Sequence, residues 1–219
     1  MDKFFDRYEA GIVLAKYLKE YANNPNVIIL ALPRGGVPVA YQISNALSVP
    51  LDVFIVRKLG LPGHEELAMG AIASGGTVFI NEPLMSQLNP DPTSIQNVIE
   101  KEREELQRRE RLYRGNSPFP DLNEKIVILV DDGIATGSTM MAAIQALRNH
   151  QPKSIIIAVP LAPSSTCDEM APLVEKLVCP LKPVAFYAVG LWYENFPQTS
   201  DNEVIELLKK SHSKHSAFR

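Results

Sequence analysis

Residues 126–139 read IVILVDDGIATGST, and the fold turns on this stretch. Ile126, Val127, Ile128, Leu129 and Val130 form an unbroken apolar run rich in β-branched residues. That is the pattern of a strand buried on both faces. It stops at two adjacent carboxylates, Asp131 and Asp132. Gly133, Thr136 and Gly137 make a flexible polar loop, and Met140 to Leu147 resumes with helical spacing. The N–H groups at a helix N-terminus, with the hydroxyls of Thr136, Ser138 and Thr139, form a cradle for a phosphate.

A cradle of donors beside two carboxylates suits a ligand with a phosphate at one end and hydroxyls or a metal at the other. Ribose 5-phosphate has that arrangement. A P-loop is excluded in its usual form, because the spacing differs and no Lys precedes the Ser/Thr. Paired carboxylates at a strand end also serve as metal sites in phosphate-handling α/β proteins, and they also cap ordinary strands. Asp-Asp by itself does not decide among these; the whole stretch favours the phosphate cradle.

Outward from this stretch, strand and helix patterns alternate, which predicts an α/β fold with a mostly parallel sheet flanked by helices. Helices are expected over Asp6–Tyr21 (with Ile12, Val13, Leu14, Tyr17 and Leu18 near one side), Val37–Leu47, Ser94–Arg114, Ser164–Lys176 and Asp201–Lys210. Asp201 is the expected N-cap of the last, and the tail from Ser211 is expected to fray. Strands are expected over Val27–Leu32, Leu51–Val56, Ser154–Val159 and Val184–Val189, with short β-like pieces at Ala68–Ala73 and Val78–Ile80. Asn89–Thr93 reads as a proline-punctuated break. With no repeat or linker in 219 residues, the expectation is one domain over 1–219. A net charge of −3 argues against a nucleic-acid-coating surface, so a phosphorylated ligand must be met by local cations. The charged start MDKFFDRYEAG lacks the apolar segment of a signal peptide, and no apolar run is long enough to span a bilayer. Cys167 and Cys179 lack metal or redox spacing and read as free thiols, so the expected location is cytoplasmic, with no membrane partner.

Two further segments carry candidate chemistry. LALPRGGVPV (30–39) is a second strand-to-helix junction, where Gly35 and Gly36 let backbone approach a ligand and Arg34 adds a forked cation. A tight turn with a solvated Arg is the other reading. Arg57-Lys58 leads into LGLPGHEELAMGAIASGG, which reads as a surface patch or as a mobile lid that excludes water. Trp192, Tyr193 and Phe196 offer rings for stacking on a planar base or for packing the terminal helix. The charge-dense helix over 94–114 reads as a solvated face laced with Glu–Arg pairs, with a dimer contact or lid as the sharper option. Within the lid His64 is a candidate for proton transfer, and His212 with His215 is weak evidence for metal.

The 126–139 segment resembles the PRPP-binding signature of type I phosphoribosyltransferases: an apolar strand, two acidic residues, then a loop ending in Thr-Gly and a hydroxyl residue. The resemblance implies the type I fold with a flexible lid and a small hood, the hood drawn from about 1–21 and 190–210. It implies that Thr136, Gly137, Ser138 and Thr139 hold the 5-phosphate of PRPP, with Gly133, Ile134 and Ala135 also in the PRPP-binding loop. By the same resemblance Asp131 and Asp132 hold the ribose hydroxyls, and Arg34 and Gly35 hold the pyrophosphate. Arg57 and Lys58 fall where the family's lid cations lie and, with the two aspartates, are the expected catalytic residues. Trp192 and Phe196 are the expected base-binding rings. Mg²⁺ is the implied cofactor, held largely by PRPP oxygens and water with indirect help from Asp131 and Asp132. The implied reaction moves ribose 5-phosphate from PRPP to a nitrogenous base and releases pyrophosphate; homodimers are common in the family.

Two departures from the family pattern bear on the acceptor. Ala68 or Met69 stands where a carboxylate usually precedes the closing glycine of the lid, although Arg-Lys and Leu-Pro there resemble the adenine enzyme. Ala135 replaces the acidic residue that 6-oxopurine enzymes often carry before Thr-Gly. That argues against a standard hypoxanthine-guanine enzyme and leaves adenine, xanthine, orotate or another acceptor. The FFDRYEAG start, the lid, the long helix and WYENF together look like a poorly characterised branch of the family. The alternative reading is a PRPP-sensing regulatory protein with little catalysis. A phosphate-monoester hydrolase using Asp131 as nucleophile is weaker, since no separate base or metal cluster is evident.

Overall fold

The computed structural model describes residues 3–88 and 91–216, without the side chains of 215 and 216. Asn89 and Pro90 of the expected break, and the His215 ring, lie outside the described residues. The described chain forms two compact units. The first takes Met1–Val53, Leu122–Gly137 and Gln151–Arg219; the second takes Phe54–Asp121 and Ser138–His150.

The first unit is built on five strands: β1 (Val27–Ala31), β2 (Leu51–Val53), β6 (Ile126–Val130), β7 (Ser154–Ala158) and β8 (Lys176–Val178). All neighbours pair in parallel, in the order β2-β1-β6-β7-β8. Every residue of β1 is buried, as are the last four of β6 and of β7. That accounts for their continuous apolar runs, since strands covered on both faces have no solvent side to alternate with. Helices α1 (Arg7–Lys16), α2 (Gly36–Leu47), α6 (Ser164–Met170) and α7 (Asp201–Ser216) belong to this unit. From β1 the chain turns outward to β2 on one side, while β6 lies on the other, so β1 and β6 form the sheet's switch point. Loops diverge there and leave a crevice at the carboxyl ends of the strands. Ala31 is in register with Val130, which brings the two following loops side by side.

Several expectations are corrected in this unit. No strand forms at Val184–Val189; Val184 and Tyr187 are exposed, and the last strand is β8, begun by Lys176, which the expected helix 164–176 had included. That helix stops at Met170 and gives way to a 3-10 turn over Ala171–Leu173, with Pro172 inside it. Along α1 the buried positions are Arg7, Ala10, Gly11, Leu14 and Ala15, while Ile12 and Tyr17 are exposed, because small residues let α1 lie close to α2. Ser200, not Asp201, caps α7: its Oγ accepts from Glu203 N. Nor does the tail fray at Ser211. That residue is fully buried with its Oγ 3.2 Å from Ser44 Oγ, and His212 Nε2 lies 3.2 Å from the carbonyl oxygen of Leu51 on β2.

The second unit contains an antiparallel sheet of β3 (Val56–Leu61), β4 (His64–Ala73) and β5 (Thr77–Ile80), with α3 (Glu82–Leu88), α4 (Pro92–Arg114) and α5 (Ser138–Arg148). The segment expected as a lid is therefore a hairpin, turning at Pro62-Gly63, with the first five residues of β4 exposed. Asp91 caps α4 by accepting from Ser94 N at 2.8 Å, and Pro92 takes the first helical position, so the helix starts two residues before Ser94. Its arginines are largely engaged: Arg108 and Arg109 both bind Glu105, and their hydrogen bonds pull that carboxyl down to about 2. No described helix is long and apolar enough to cross a membrane.

The terminal turn of α7 makes a checkable contribution to stability. Ending the chain after Lys210 removes the buried Ser211 and the His212 contact. At about 1 kcal/mol per lost hydrogen bond, and about 2–4 °C per kcal/mol for a chain of this size, the melting temperature should fall by several degrees. An unchanged melting temperature would return this segment to the status of a frayed tail.

Candidate active site

The loop after β1 and the loop after β6 meet at the switch point of the first unit. Leu32 N donates to Val130 O at 2.8 Å and prolongs the strand pairing to the edge of the site. Pro33–Arg34 is a cis peptide, and Gly35 then lies against the Asp132 carboxylate so closely that a Cβ there would overlap it. Gly36 is constrained in the same way, since a Cβ there would lie 2.8 Å from Val130 O, and Gly137 sits at φ +76° with Thr166 Cγ2 3.0 Å from where a Cβ would sit. Arg34 is partly exposed and makes a long ion pair with Asp201, 3.8 Å. Such a pair contributes about 0–1 kcal/mol, so Arg34 is readily recruited by a ligand.

Asp131 and Asp132 are only partly accessible. Asp132 N donates to Asp131 Oδ1 at 2.8 Å, the Arg7 Nε donates to Asp132 Oδ2 at 2.8 Å, and the Tyr193 hydroxyl donates to the Asp132 carbonyl at 2.6 Å. Burial pushes the Asp131 carboxyl well above the usual carboxylate range, and the neighbouring Asp132 charge adds to this. Burial raises Asp132 as well, against the opposing pull of Arg7. The pair therefore holds a proton more readily than two separate aspartates, on Asp131 in preference, because the Arg7 cation sits on Asp132.

The loop itself is anchored by its apolar member. Ile134 is buried and its N–H donates to Leu161 O at 2.9 Å, while the Ala135 carbonyl accepts from Thr166 Oγ1 at 3.3 Å. Thr136, Ser138 and Thr139 are exposed. Ser138 and Thr139 open α5, an eleven-residue helix whose first N–H groups suit an anion.

Arg57 and Lys58 are separated by strand alternation. Neighbours on β3 point to opposite faces. Arg57 accordingly binds Glu102 of α4, with its Nη2 2.6 Å from Oε2, while Lys58 Nζ donates to Ser138 Oγ of α5 at 2.6 Å. Lys58 is thus beside the hydroxyl that opens α5, and Arg57 is tied to the long helix.

Of the expected base-binding rings, Trp192 is half-buried and packs against the cluster of Phe4, Ala10, Leu161 and Tyr193. Phe196 is engaged: the Arg7 guanidinium lies 3.7 Å from its ring centroid, and the Tyr193 ring stacks at 4.8 Å. His64 is exposed near the hairpin turn. Both cysteines are free, and burial pushes the Cys179 thiol up. Among the described residues no cluster of three or more His, Cys, Asp and Glu stands ready for a metal ion. Arg7 and Glu102 were not foreseen as site residues, and Tyr193, expected only as a stacking ring, instead donates its hydroxyl to the Asp132 carbonyl. Arg7 carried a signal: it shares i, i+3, i+4, i+7 spacing with Ala10, Gly11 and Leu14, which puts a cation on a buried stripe.

The raised Asp131 carboxyl has a consequence for stability. Its folded-state value lies above the unfolded value of about 4, so its contribution to stability is present below that value and is lost as pH rises through the folded one. Asp131→Asn keeps an oxygen for the Asp132 N–H and removes the charge. With a chelator present it should melt above the parent at pH 8, with the difference shrinking toward pH 4. A lower melting temperature at pH 8 would contradict the assigned cause.

Comparison with known proteins bears on what such a site belongs to. The model of the phosphoribosyl transferase domain family matches residues 6–180. A Mycobacterium tuberculosis protein, named provisionally as a phosphoribosyl transferase, is 43% identical over 213 residues, which is 97% of this chain and 48% of that protein. The chain thus spans about half the length of this curated relative. A hypoxanthine/guanine phosphoribosyltransferase of Methanosarcina acetivorans is 26% identical over 136 residues, covering 62% of this chain and 52% of that protein. In structure the chain is similar to the protein TT1426 of Thermus thermophilus, with a TM-score of 0.85, 33% identity, and 95% and 99% of the two chains covered. The match over residues 6–180 includes β6, the acid pair and the glycine loop that follows it, and the chain belongs to the phosphoribosyl transferase domain family.

Proposed function

We propose that the chain transfers ribose 5-phosphate from PRPP to a nitrogenous base and releases pyrophosphate. The observation that carries this reading is the apposition of the Arg34-Gly35 loop and the Asp131-Asp132 pair at the switch point of a parallel sheet. In the reaction the C1–oxygen bond breaks with its electron pair leaving on pyrophosphate, and the lone pair of a base nitrogen forms the new C1–N bond. The ribose carries positive charge as the leaving group departs, so the protein must favour a cation at the ring and an anion beside it.

Asp131 and Asp132 serve the first need by accepting from the ribose hydroxyls and by their negative field. Arg34, with backbone around Gly35, serves the second. Thr136, Ser138 and Thr139 take the 5-phosphate together with the N–H groups opening α5, and Lys58, already bonded to Ser138, adds charge there. Arg57 contributes once released from Glu102. Two carboxylates with hard oxygens fit Mg²⁺ that keeps much of its water; the ion would neutralise pyrophosphate charge, its remaining ligands being PRPP oxygens and water. Ala135 offers no proton-accepting group before Thr136, which favours acceptors other than hypoxanthine and guanine. Phe196 is held by Arg7 and Tyr193, so Trp192 is the more available ring for a planar acceptor. A cytoplasmic homodimer accords with this reading.

The test is PRPP- and Mg²⁺-dependent release of pyrophosphate across adenine, hypoxanthine, guanine, xanthine, uracil and orotate. Release with one base, lowered at least about a hundredfold by Asp132→Asn, is the expected result, since loss of a charge-stabilising contact at a reacting centre is worth about 3 kcal/mol or more. PRPP binding without release for any of these bases would sink the proposed transfer to them and favour the sensor.

A further inference from the structure

The first unit contains a buried cation that the proposed reaction has not used. Arg7 is 8% exposed, close to the start of the chain, yet it reaches a residue 125 positions away. Its donors are divided. Nε binds Asp132 Oδ2 at 2.8 Å, and Nη1 binds the carbonyl of Pro197 at 2.7 Å. Its flat face lies on the Phe196 ring, which stacks on Tyr193, and the Tyr193 hydroxyl binds the carbonyl of Asp132 itself. Asp132 is therefore held through its side chain by Arg7, through its backbone by Tyr193, and on a third side by the close approach of Gly35. Oδ2 is occupied by this arrangement.

We propose that Arg7 is a positioning residue for sugar recognition: it fixes the Asp132 carboxylate so that its other oxygen meets a ribose hydroxyl. This deepens the proposed function and rests on the assignment of the acid pair to the ribose. The N-terminal helix is then part of the sugar site as well as a hood over the acceptor. A lysine cannot replace the arginine, because one ammonium does not reach Asp132 and Pro197 together while lying flat on Phe196.

The test is calorimetric binding by the full chain of ribose 5-phosphate, its 2-deoxy and 3-deoxy analogues, and inorganic phosphate. The parent should prefer ribose 5-phosphate over one deoxy analogue by at least about tenfold, the scale of one hydrogen bond to a charged acceptor. Arg7→Met should bring that preference to within about twofold of unity while leaving inorganic phosphate affinity unchanged. In the Asp132→Asn background Arg7→Met should have no further effect on the preference. A merely structural role would weaken every ligand alike and leave the ratio intact. Should Arg7→Met not fold, Arg7→Lys decides: a preference reduced at least about threefold is expected, and an unchanged one overturns the inference. A parent with no preference for the hydroxylated sugar overturns the ribose assignment and this inference together. A parental preference kept in folded Arg7 variants overturns the role of Arg7 alone.

Discussion

Everything at the site is arranged around the burial of two adjacent carboxylates with one counter-charge. At about 4 Å two like unit charges repel by about 4 kcal/mol at an effective dielectric of 20, and removing each from water adds several kcal/mol. Arg7, 2.8 Å from Asp132, offsets one charge directly, while its pull on Asp131 is outweighed by burial and by the Asp132 charge. The excess is met in the free protein by a tendency of Asp131 to hold its proton. That is an unfavourable arrangement for a fold and a favourable one for a ligand that brings hydroxyl donors, a cation, or a ring on which positive charge develops. The folded state thus retains an unmet demand at the acid pair, the kind of demand that the proposed ligand would meet.

The same constraint explains why distant segments converge there. Phe4 pairs with Tyr193 in an isolated bridge, and the backbone of Phe4 also exchanges hydrogen bonds with Trp192 and Glu194. This pins the start of the chain to the 190s before α1 begins. Asp6 then caps α1 by accepting from Glu9 N at 2.8 Å, setting the rotation of the helix. Arg7 follows at once, on the face that Ala10, Gly11 and Leu14 bury. A cap and a run of small residues therefore aim a single guanidinium, and the aromatic pair Tyr193–Phe196 supports its flat face. These are contacts between segments far apart in sequence, each ordinary in strength and decisive in combination.

How much of this was legible in the residues depended on how local the cause was. Ile126–Val130 and Val27–Ala31 could be read because strands covered on both faces leave continuous apolar runs, and the acid pair and glycine loop lie in the same short window. The limits of α4 were nearly right because its cap and first proline are adjacent to it. Failures came where tertiary contacts decide. Val184–Val189 has strand-like composition but lies beyond Pro180 and Pro183 and joins no ladder, whereas Lys176–Val178, only three residues long, does. Ser211 and His212 look like tail residues and are held by Ser44 and Leu51, over 160 positions away. Arg7 belongs to this class too: its spacing marks a buried face, but nothing local says that the buried partner is Asp132.

Arg57 and Lys58 show a subtler limit. As adjacent cations at a strand end they read as one unit, yet the two-residue period of a strand gives them different partners. Lys58 takes the hydroxyl that opens α5, and Arg57 takes a carboxylate on α4. The Arg57–Glu102 pair is short and partly shielded, with side chains 30% and 15% exposed, so it holds Arg57 more firmly than Asp201 holds Arg34 at 3.8 Å. Cations of equal formal charge thus differ in how they are held: Arg34 by a long pair with Asp201, Lys58 by the Ser138 hydroxyl, and Arg57 by the Glu102 carboxylate. If Arg57 takes the proposed role, the decisive quantity is the difference between its affinity for Glu102 and for the anion. An anion with several negative charges is the kind of competitor that wins such an exchange, so on the proposed role release of the Arg57–Glu102 pair depends on the charge of the ligand.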